Sequence, residues 1–279
     1  MDQLAFQSFV PGTDQPGDVT APARWFAFRG GDLLVASSGD ALSIPLAPGL
    51  ESMGLPAASS HYLGLADGTP CRAAELPADT AAPAGWSFEG VRSLFGRLAD
   101  SFFSVAARAL EVLEWDRTHR FCGACGTATV IKPGERAREC PSCKSLSYPR
   151  ISPAVIVAVS RGDTLLLARA RRFPPGFYSV LAGFVEPGET LEECVRREVK
   201  EETAIEVPNI RYFGSQPWPF PHSLMVAFTA DHAGGEIKVD PSELAEAGWY
   251  TVDALPNIPD PITVARRLID GWISGRRGT

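Results

Sequence analysis

Short apolar runs on either side of a glycine-containing turn occur at two places in the chain. Residues 25–36 hold one pair of runs around Arg29-Gly30-Gly31-Asp32, and residues 155–168 hold another around Arg161-Gly162-Asp163-Thr164. Each pattern predicts a β-hairpin. Because the two segments are alike in sequence, we hypothesise that the first part of the chain is a degenerate relative of the second. Two unrelated hairpins would give the same pattern.

Two other segments have the three- and four-residue spacing of a helix. One runs from Leu98 to about Arg117 and is expected to bridge the two halves of the chain. The other begins after Thr190, whose spacing from Glu193 is that of a capping box, and ends near Glu202. The apolar stripe that this second helix would bury comprises Leu191, Cys194, Val195 and Val199.

These patterns divide the chain into four parts. The expected parts are a β-rich domain at 1–95, a bridging helix at 96–120, a cysteine-rich module at 121–147 and a second domain at 148–279. Residues 76–85, rich in alanine and proline, are predicted to form a linker.

Composition narrows the class of protein. The chain has 279 residues, is 45% apolar and has no apolar run near the ~20 residues of a membrane span, so we expect a soluble protein. The first residues lack the basic and apolar regions of a signal peptide. A net charge of −7 argues against broad nucleic-acid binding, which needs a basic surface, and leaves room for a local basic site.

Carboxylates crowd one face of the second predicted helix. Glu198 and Glu202 are four residues apart with Glu201 between them, so the outer two lie roughly 6 Å apart along the helix axis. Like charges at this spacing repel unless a cation lies between them. Oxygen ligands favour Mg²⁺ or Mn²⁺ over zinc. The alternative for an acidic run of this kind is a solvated helix face.

Four of the six cysteines form two close pairs, Cys122 with Cys125 and Cys140 with Cys143. Two such pairs predict a closed tetrahedral Zn²⁺ site in a zinc ribbon. A structural clamp and a nucleic-acid-binding ribbon are both compatible with the pattern. The pairs also favour a reducing compartment, and we expect the protein in the cytoplasm.

Prolines alternate with aromatic residues at 217–221, after a predicted strand at 210–213. Proline fixes its own φ and donates no backbone hydrogen bond, so we expect a rigid extended loop and exclude a central strand. Flat rings on such a frame could stack a nucleotide base, or could merely pack. A further strand is predicted at 178–182, just before the acidic helix.

The spacing of Gly183, Glu189, Arg197-Glu198-Val199 and Glu201-Glu202 resembles the Nudix box. In that family a loop-helix-loop holds metal ions against a pyrophosphate, and the arginine is bound by the first glutamate. One position departs from the pattern, since Ala204 stands where the family usually has glycine. If the backbone there is left-handed, alanine costs on the order of 1 kcal/mol.

Three motifs together resemble the NADH pyrophosphatase family of Nudix hydrolases. They are the four-cysteine ribbon, the phrase Tyr148-Pro149-Arg150 and the phrase Ser215 to Ser223 after the box. The resemblance implies an α/β (α+β) fold, in which a Nudix α/β/α sandwich with a mixed sheet follows a zinc ribbon and an N-terminal, Nudix-like domain. It also implies a homodimer.

The resemblance assigns roles to residues of this chain. Glu198, Glu201 and Glu202 would be catalytic, and the Mg²⁺ or Mn²⁺ ligands would be Ala182 (through its carbonyl), Glu198, Glu201, Glu202 and Glu243. The structural Zn²⁺ would be held by Cys122, Cys125, Cys140 and Cys143. The substrate would be bound by Arg92, Glu135, Tyr148, Phe184, Gln216, Pro217, Trp218, Pro219, Phe220, Pro221, His222, Ser223 and Ala265.

The function that the resemblance implies is hydrolysis of NADH or NAD⁺ to AMP and nicotinamide mononucleotide, with removal of the NAD cap from RNA 5′ ends. The residues do not decide whether Glu201 or Glu202 is the general base, and we assign Glu202 as a ligand and Glu201 as the partner of the water. Two alternatives stay open. The chain could be a Nudix hydrolase of another nucleoside diphosphate derivative, such as ADP-ribose, or a non-catalytic RNA-binding or regulatory module.

Overall fold

The computed structural model describes residues 7–14, 17, 21–39 and 41–277. The chain forms two compact units, Met1–Arg150 and Ile151–Thr279. No helix in the described part of the chain is both long enough and apolar enough to cross a membrane.

The first unit contains a mixed sheet, one long helix and a small ribbon. Its first eight strands are β1 (Phe9–Pro11), β2 (Ala23–Arg29), β3 (Asp32–Ser38), β4 (Ala41–Ser43), β5 (Leu46–Ala47), β6 (Ser59–Ala66), β7 (Thr69–Leu76) and β8 (Ser87–Gly90). They are followed by α1 (Asp100–Thr118) and by the ribbon strands β9 (Val130–Ile131), β10 (Arg138–Glu139) and β11 (Leu146–Ser147).

The large sheet has the order β1-β6-β7-β2-β3-β4, with β5 beside β2 and β8 beside β3. The predicted hairpin is confirmed, since β2 and β3 pair across Gly30-Gly31. The prediction of a linker at residues 76–85 is wrong. That segment connects β7 to β8, and β8 pairs with β3 in the same sheet, so the segment is a loop within one unit.

Helix α1 begins and ends within two residues of its predicted limits. It packs against β2, β6 and β7, and its apolar residues Phe102, Ala106 and Ala109 are completely buried. The Phe26 ring of β2 lies 6.5 Å from the Phe102 ring, centroid to centroid. The helix therefore supplies one layer of the first unit's core.

The second unit is a sheet between two helices. Its strands are β12 (Ser152–Arg161), β13 (Thr164–Ala170), β14 (Leu181–Phe184), β15 (Arg211–Trp218), β16 (Ser223–Asp231) and β17 (Leu244–Tyr250), and its helices are α2 (Leu191–Thr203) and α3 (Val264–Arg277). The strand order is β15-β16-β12-β13-β17, with β14 beside β12. Strands β12 and β16 run parallel, while the other pairs are antiparallel, so the sheet is mixed as expected.

Alternation along β12 builds a core on each face of this sheet. Val155, Val157 and Val159 pack in a cluster with the buried stripe of α2, whereas Ile156 and Ala158 pack in a cluster with α3. Successive side chains of a strand point to opposite faces, so one apolar strand can serve both helices. The predicted α/β/α sandwich is confirmed.

Two predicted strands have other limits in the structure. In the segment predicted at 178–182, Ser179 pairs through an isolated bridge to Ala168, and the continuous ladder with β12 begins at Leu181 and ends at Phe184. The strand predicted at 210–213 continues to Trp218 as β15. Because β15 is an edge strand, Pro217 is tolerated there, since its missing N–H can face away from the sheet.

Candidate active site

Helix α2 starts where its sequence predicts. The Thr190 side chain accepts a hydrogen bond from Glu193 N at 3.3 Å, and the Glu193 carboxylate accepts one from Thr190 N at 2.8 Å. This reciprocal pair satisfies two backbone donors that a helix start leaves unpaired. With Cys194, Val195 and Val199 completely buried on the other side, the helix is held at a set rotation against the sheet.

Arg197 joins the loop after β14 to the helix. Its Nε and Nη2 lie 2.7 and 2.9 Å from the two carboxylate oxygens of Glu189, and Nη2 also donates to Phe184 O at 3.0 Å. The hydrogen bonds from Arg197 lower the pKa of Glu189 to about 2. Such a bidentate pair has a defined geometry, so the loop cannot move independently of α2.

The box glycine is explained by Glu198. A Cβ at Gly183 would lie 1.8 Å from the carboxyl carbon of Glu198, far inside van der Waals contact. Glu198 is buried, with 9% of its surface exposed, and its carboxylate accepts a hydrogen bond from Arg197 Nη1 at 2.8 Å. Only a residue without a side chain lets this carboxylate rest against β14.

Glu202 and Glu243 reach the same cavity from segments far apart in sequence. The cavity, of about 460 Å³, lies beside β14 and is also lined by Ala182 and Ser242. Burial and the charges of Glu198 and Glu243 raise the pKa of Glu202 to about 8. Burial also raises the pKa of Glu198. A raised carboxyl pKa means that negative charge is costly here without a cation.

These residues fit a hard divalent cation. The potential ligands are oxygen atoms only, which suits Mg²⁺ or Mn²⁺ rather than zinc. The buried Glu198 and Glu202, together with Glu243 and the Ala182 carbonyl, are the groups that would hold the ion. Glu201 is different, because its side chain is 60% exposed and its carboxylate lies 3.1 Å from Arg197 Nη1.

The aromatic run is partly strand and partly turn. Gln216, Pro217 and Trp218 belong to β15 and pair with the start of β16, while residues 219–222 form the turn between them. The prediction of a loop throughout is therefore wrong. The Trp218 and Phe220 rings meet edge to face with centroids 5.2 Å apart. Pro219 and Ser223 are buried, and Pro221 is exposed.

Gln216 contacts the start of α3. Its Nε2 donates to Ile262 O at 2.7 Å and its Oε1 accepts from Val264 N at 2.7 Å. Both ends of the amide are thus used within the fold, and they fix the position of Ala265, the next residue along. His222 O accepts a hydrogen bond from Ser152 N at 2.9 Å, which ties the turn to β12.

The remaining predicted substrate residues lie in both units. Phe184 is 60% exposed at the end of β14. Arg92, Glu135 and Tyr148 belong to the first unit, where the Tyr148 hydroxyl donates to Glu135 at 2.9 Å. Arg92 is exposed in a short 3-10 helix, Val91–Leu94.

The four predicted zinc ligands converge. Their Sγ atoms lie within 4.8 Å of one another, and Cys125 Sγ is 3.5 Å from Cys140 Sγ and 3.6 Å from Cys143 Sγ. A tetrahedral zinc with Zn–S bonds of ~2.3 Å needs sulfurs about 3.8 Å apart, so the set fits. Among the described residues, no other group of three or more His, Cys, Asp or Glu ligand atoms is this close.

Two arginines of the ribbon bind groups inside the first unit. Arg136 Nη2 donates to Gly12 O at 2.5 Å and to Tyr62 O at 3.1 Å. Arg138 pairs with Asp116 of α1, and both side chains are largely buried. Because these positive charges are used to hold the ribbon, they are not free to bind a nucleic acid, which favours the structural clamp.

Sequence reasoning assigned no role to Arg171, Arg172 and Ser242, which also line the cavity. Arg171 and Arg172 follow β13 directly and precede a predicted loop at Pro174-Pro175-Gly176. Their position as two adjacent arginines at the end of a strand, in a chain with a net charge of −7, was a signal that could have identified them. Ser242 carried no such signal, and its hydroxyl donates to Asp240 at 2.7 Å.

Family models match nearly the whole chain in three consecutive segments. A NADH pyrophosphatase-like rudimentary NUDIX domain matches residues 22–115, a NADH pyrophosphatase zinc ribbon domain matches 117–148, and a NUDIX domain matches 150–270. An NAD-capped RNA hydrolase NudC of Pseudomonas fluorescens is 44% identical over 261 residues, which cover 94% of each chain. The chain belongs to the NADH pyrophosphatase family of Nudix hydrolases.

Other relatives agree with this NADH pyrophosphatase assignment. An NAD-capped RNA hydrolase NudC of Deinococcus radiodurans is 45% identical over 277 residues, covering 95% of each chain. A crystal structure of a NUDIX hydrolase from Nitrosomonas europaea matches 57% of this chain and 93% of its own, with a TM-score of 0.50 and 23% identity. That similarity concerns the fold alone. The rudimentary NUDIX match also confirms the hypothesis that the first part of the chain is a degenerate relative of the second.

Proposed function

We propose that this Nudix hydrolase cleaves the pyrophosphate bond of NADH and NAD⁺, releasing AMP and nicotinamide mononucleotide, and that it removes the NAD cap from RNA 5′ ends. The observation that carries the proposal is the cavity beside β14, which is lined by Glu202 and Glu243 and in which burial raises the pKa of Glu202. The substrate is inferred from relatives named NAD-capped RNA hydrolase that match along nearly the full chain.

Each part of the site has a task in this reaction. Bound Mg²⁺ or Mn²⁺ would withdraw charge from phosphoryl oxygens and lower the pKa of a coordinated water. Glu198, Glu202, Glu243 and the Ala182 carbonyl would hold the ion, and Gly183 leaves room for the Glu198 carboxylate beside β14. Glu201, exposed at the rim of the helix, accepts the proton of the attacking water. Arg197 holds Glu201 and Glu198 in place through hydrogen bonds of 3.1 and 2.8 Å.

The substrate site would use the exposed ring of Phe184 and the paired rings of Trp218 and Phe220, which offer flat surfaces for a base. Within the second unit, the residues from Gln216 to Ser223 and Ala265 complete the proposed set. Arg92, Glu135 and Tyr148 of the first unit are proposed as further substrate residues. We also propose a homodimer in the cytoplasm. The six free cysteines, four of them gathered for zinc, support a reducing compartment.

The test is a direct assay of AMP release. Purified protein is incubated with NADH, NAD⁺, ADP-ribose or an NAD-capped RNA, each with Mg²⁺ or Mn²⁺, and kcat/KM is compared. We expect cleavage of the NAD compounds to exceed that of ADP-ribose. Faster cleavage of ADP-ribose would assign the chain to another Nudix substrate, and no cleavage of any compound would leave only a binding role.

A further inference from the structure

The catalytic cavity has a basic side as well as an acidic one. Its lining includes Arg171 and Arg172, from the loop that follows β13, together with Glu202 and Glu243. These two arginines are the cations among the cavity's described lining residues. The two arginines differ in their contacts. Arg171 is hydrogen-bonded within the fold, whereas the Arg172 side chain is available to a ligand.

Arg171 is engaged in the fold. Its Nη1 donates to Pro241 O at 2.5 Å, and its backbone N donates to Glu243 O at 3.0 Å. Both bonds hold the turn that carries Glu243 against the end of β13. The positive charge of Arg171 is therefore used to position a carboxylate of the site.

Arg172 has no such engagement. Its side chain is exposed and, within the described part of the chain, makes no hydrogen bond or ion pair. The guanidinium carbon lies 5.3 Å from the centroid of the neighbouring Phe173 ring. Arg172 lines the same cavity as Glu202 and Glu243, so its guanidinium shares that space with the carboxylates.

The negative charge of the substrate explains why a free arginine is useful in this acidic cavity. A dinucleotide brings a diphosphate with two negative charges into a cavity that already holds carboxylates, so every phosphoryl oxygen needs a cation or a donor. Metal ions contact only some of those oxygens. A guanidinium matches the rest well, because its planar N–H groups bind two oxygens of one phosphate at once.

We propose that Arg172 is a substrate-binding residue whose guanidinium donates to non-bridging oxygens of the diphosphate, in the cavity that it shares with Glu202 and Glu243. The proposal rests on the pyrophosphatase function proposed above. The adjacent Arg171 holds the turn that carries Glu243, while Arg172 binds the diphosphate. Because Arg172 makes no polar contact with the described residues, replacing it should leave the fold intact.

Steady-state kinetics with NADH test this assignment. Arg172→Gln should raise KM on the order of 10- to 100-fold, the usual effect of losing a hydrogen bond between charged groups, while kcat changes by less than about threefold. Arg172→Lys should recover part of the lost affinity, since lysine keeps the positive charge but cannot bind two oxygens of one phosphate at once. Arg211→Gln, which removes an exposed arginine paired with Asp231, is the matched control and should behave like the wild type.

Chemical rescue separates binding from a structural role. Guanidinium ion, added well below denaturing concentration, should lower the KM of Arg172→Ala and leave that of the wild type unchanged. Binding of Mn²⁺ without nucleotide, followed by electron paramagnetic resonance, should be the same in the wild type and in Arg172→Gln. An altered Mn²⁺ affinity with an unchanged KM would overturn the proposal, because Arg172 would then act only on the charge of the carboxylates.

The outcomes distinguish this inference from the function beneath it. If the wild type cleaves NADH and Arg172→Gln has the same KM, the role of Arg172 is refuted and the pyrophosphatase function stands. If the wild type cleaves neither NADH nor NAD-capped RNA, both fall together.

Discussion

Six strands of the first unit's sheet follow the same order as the six strands of the second, and the connection after the β5 and β14 strands differs between them. In the first unit β6-β7-β2-β3 runs with β5 beside β2 and β8 beside β3, and in the second β15-β16-β12-β13-β17 runs with β14 beside β12. The central pairs, β2 with β7 and β12 with β16, are both parallel. Helices α1 and α3 pack on corresponding strands. The architecture is therefore the same with and without a catalytic site.

The difference lies between β5 and β6, where the second unit has α2. Residues 48–58 form only one 3-10 turn, Leu50–Met53, in place of the glutamate-bearing helix. Counting back from the two hairpins, Ala23 corresponds to Val155, so their partners Ala47 and Gly183 correspond as well. Ala47 therefore has a Cβ at the position where the second unit has Gly183, which leaves room for Glu198. We therefore propose that the α2 connection and Gly183, added to a sheet that both units share, are what the first unit lacks for catalysis.

The largest effect should come from the helix that the first unit lacks. Glu202→Gln should lower turnover of NADH roughly 100-fold or more, because it removes a proposed metal ligand. Its melting temperature should not fall, since an amide is easier to bury than a carboxylate with a raised pKa. Glu51→Gln, in the corresponding connection of the first unit, should leave kcat/KM unchanged. Near-normal turnover in Glu202→Gln would reject the assignment.

Exchanging the residues at the corresponding strand positions should give the next effect. Gly183→Ala should reduce kcat/KM on the order of 10- to 100-fold, since its Cβ would displace the Glu198 carboxylate. The displaced atoms are the end of a side chain, so thermal stability should change little. Ala47→Gly should do the reverse, with about 1 kcal/mol less stability and full activity. Equal activity of both variants would show that Glu198 need not rest on β14.

The ribbon, which the second unit does not carry, should matter for stability. Arg138→Gln should lower the free energy of unfolding of the first unit by about 2 kcal/mol, because the buried Asp116 loses its arginine partner and keeps only the contact with His61. The exposed Lys144, 3.4 Å from Glu139, is the control, and Lys144→Gln should change stability by less than about 0.5 kcal/mol. Chemical denaturation followed by near-ultraviolet circular dichroism measures both. Similar losses in the two variants would contradict the prediction.

The same pair predicts a pH dependence. Burial raises the pKa of Asp116, but the hydrogen bond and charge of His61 and the charge of Arg138 outweigh it, so the folded-state pKa is lowered. A lowered carboxyl pKa adds stability above the unfolded-state pKa, and that stability is lost as the pH falls through the folded-state value. In Arg138→Gln the loss should begin at a higher pH. An acid titration of the melting temperature compares the two proteins.

The smallest effect concerns how the two connections end. Ala204 ends α2 with φ of 60°, whereas Gly54 ends the 3-10 turn of the first unit with φ of 72°. Both are left-handed, a conformation that costs alanine on the order of 1 kcal/mol and glycine very little. Ala204→Gly should therefore raise stability and Gly54→Ala should lower it, each by about 1 kcal/mol, with activity unchanged. Calorimetry on the two variants checks the opposite signs.

Much of this was predictable because the signals are local. The capping box of Thr190 with Glu193 and the two cysteine pairs are complete within a few residues. The two hairpins likewise follow from runs around a turn. Where a prediction went wrong, a partner distant in sequence was responsible. Residues 76–85 look like a linker until β8 pairs with β3, and Pro217 looks like loop until β15 is seen to be an edge strand.

By itself the sequence determined the order of the motifs, the two cysteine pairs and the helix that carries the carboxylates, since each depends on residue type at short spacing. Only the tertiary structure decided that the Gln216 amide is used by α3 and that Arg171 is engaged where Arg172 is not. The physical reason is that burial and partners of a side chain depend on the register of strands far apart in the chain, which no local pattern specifies.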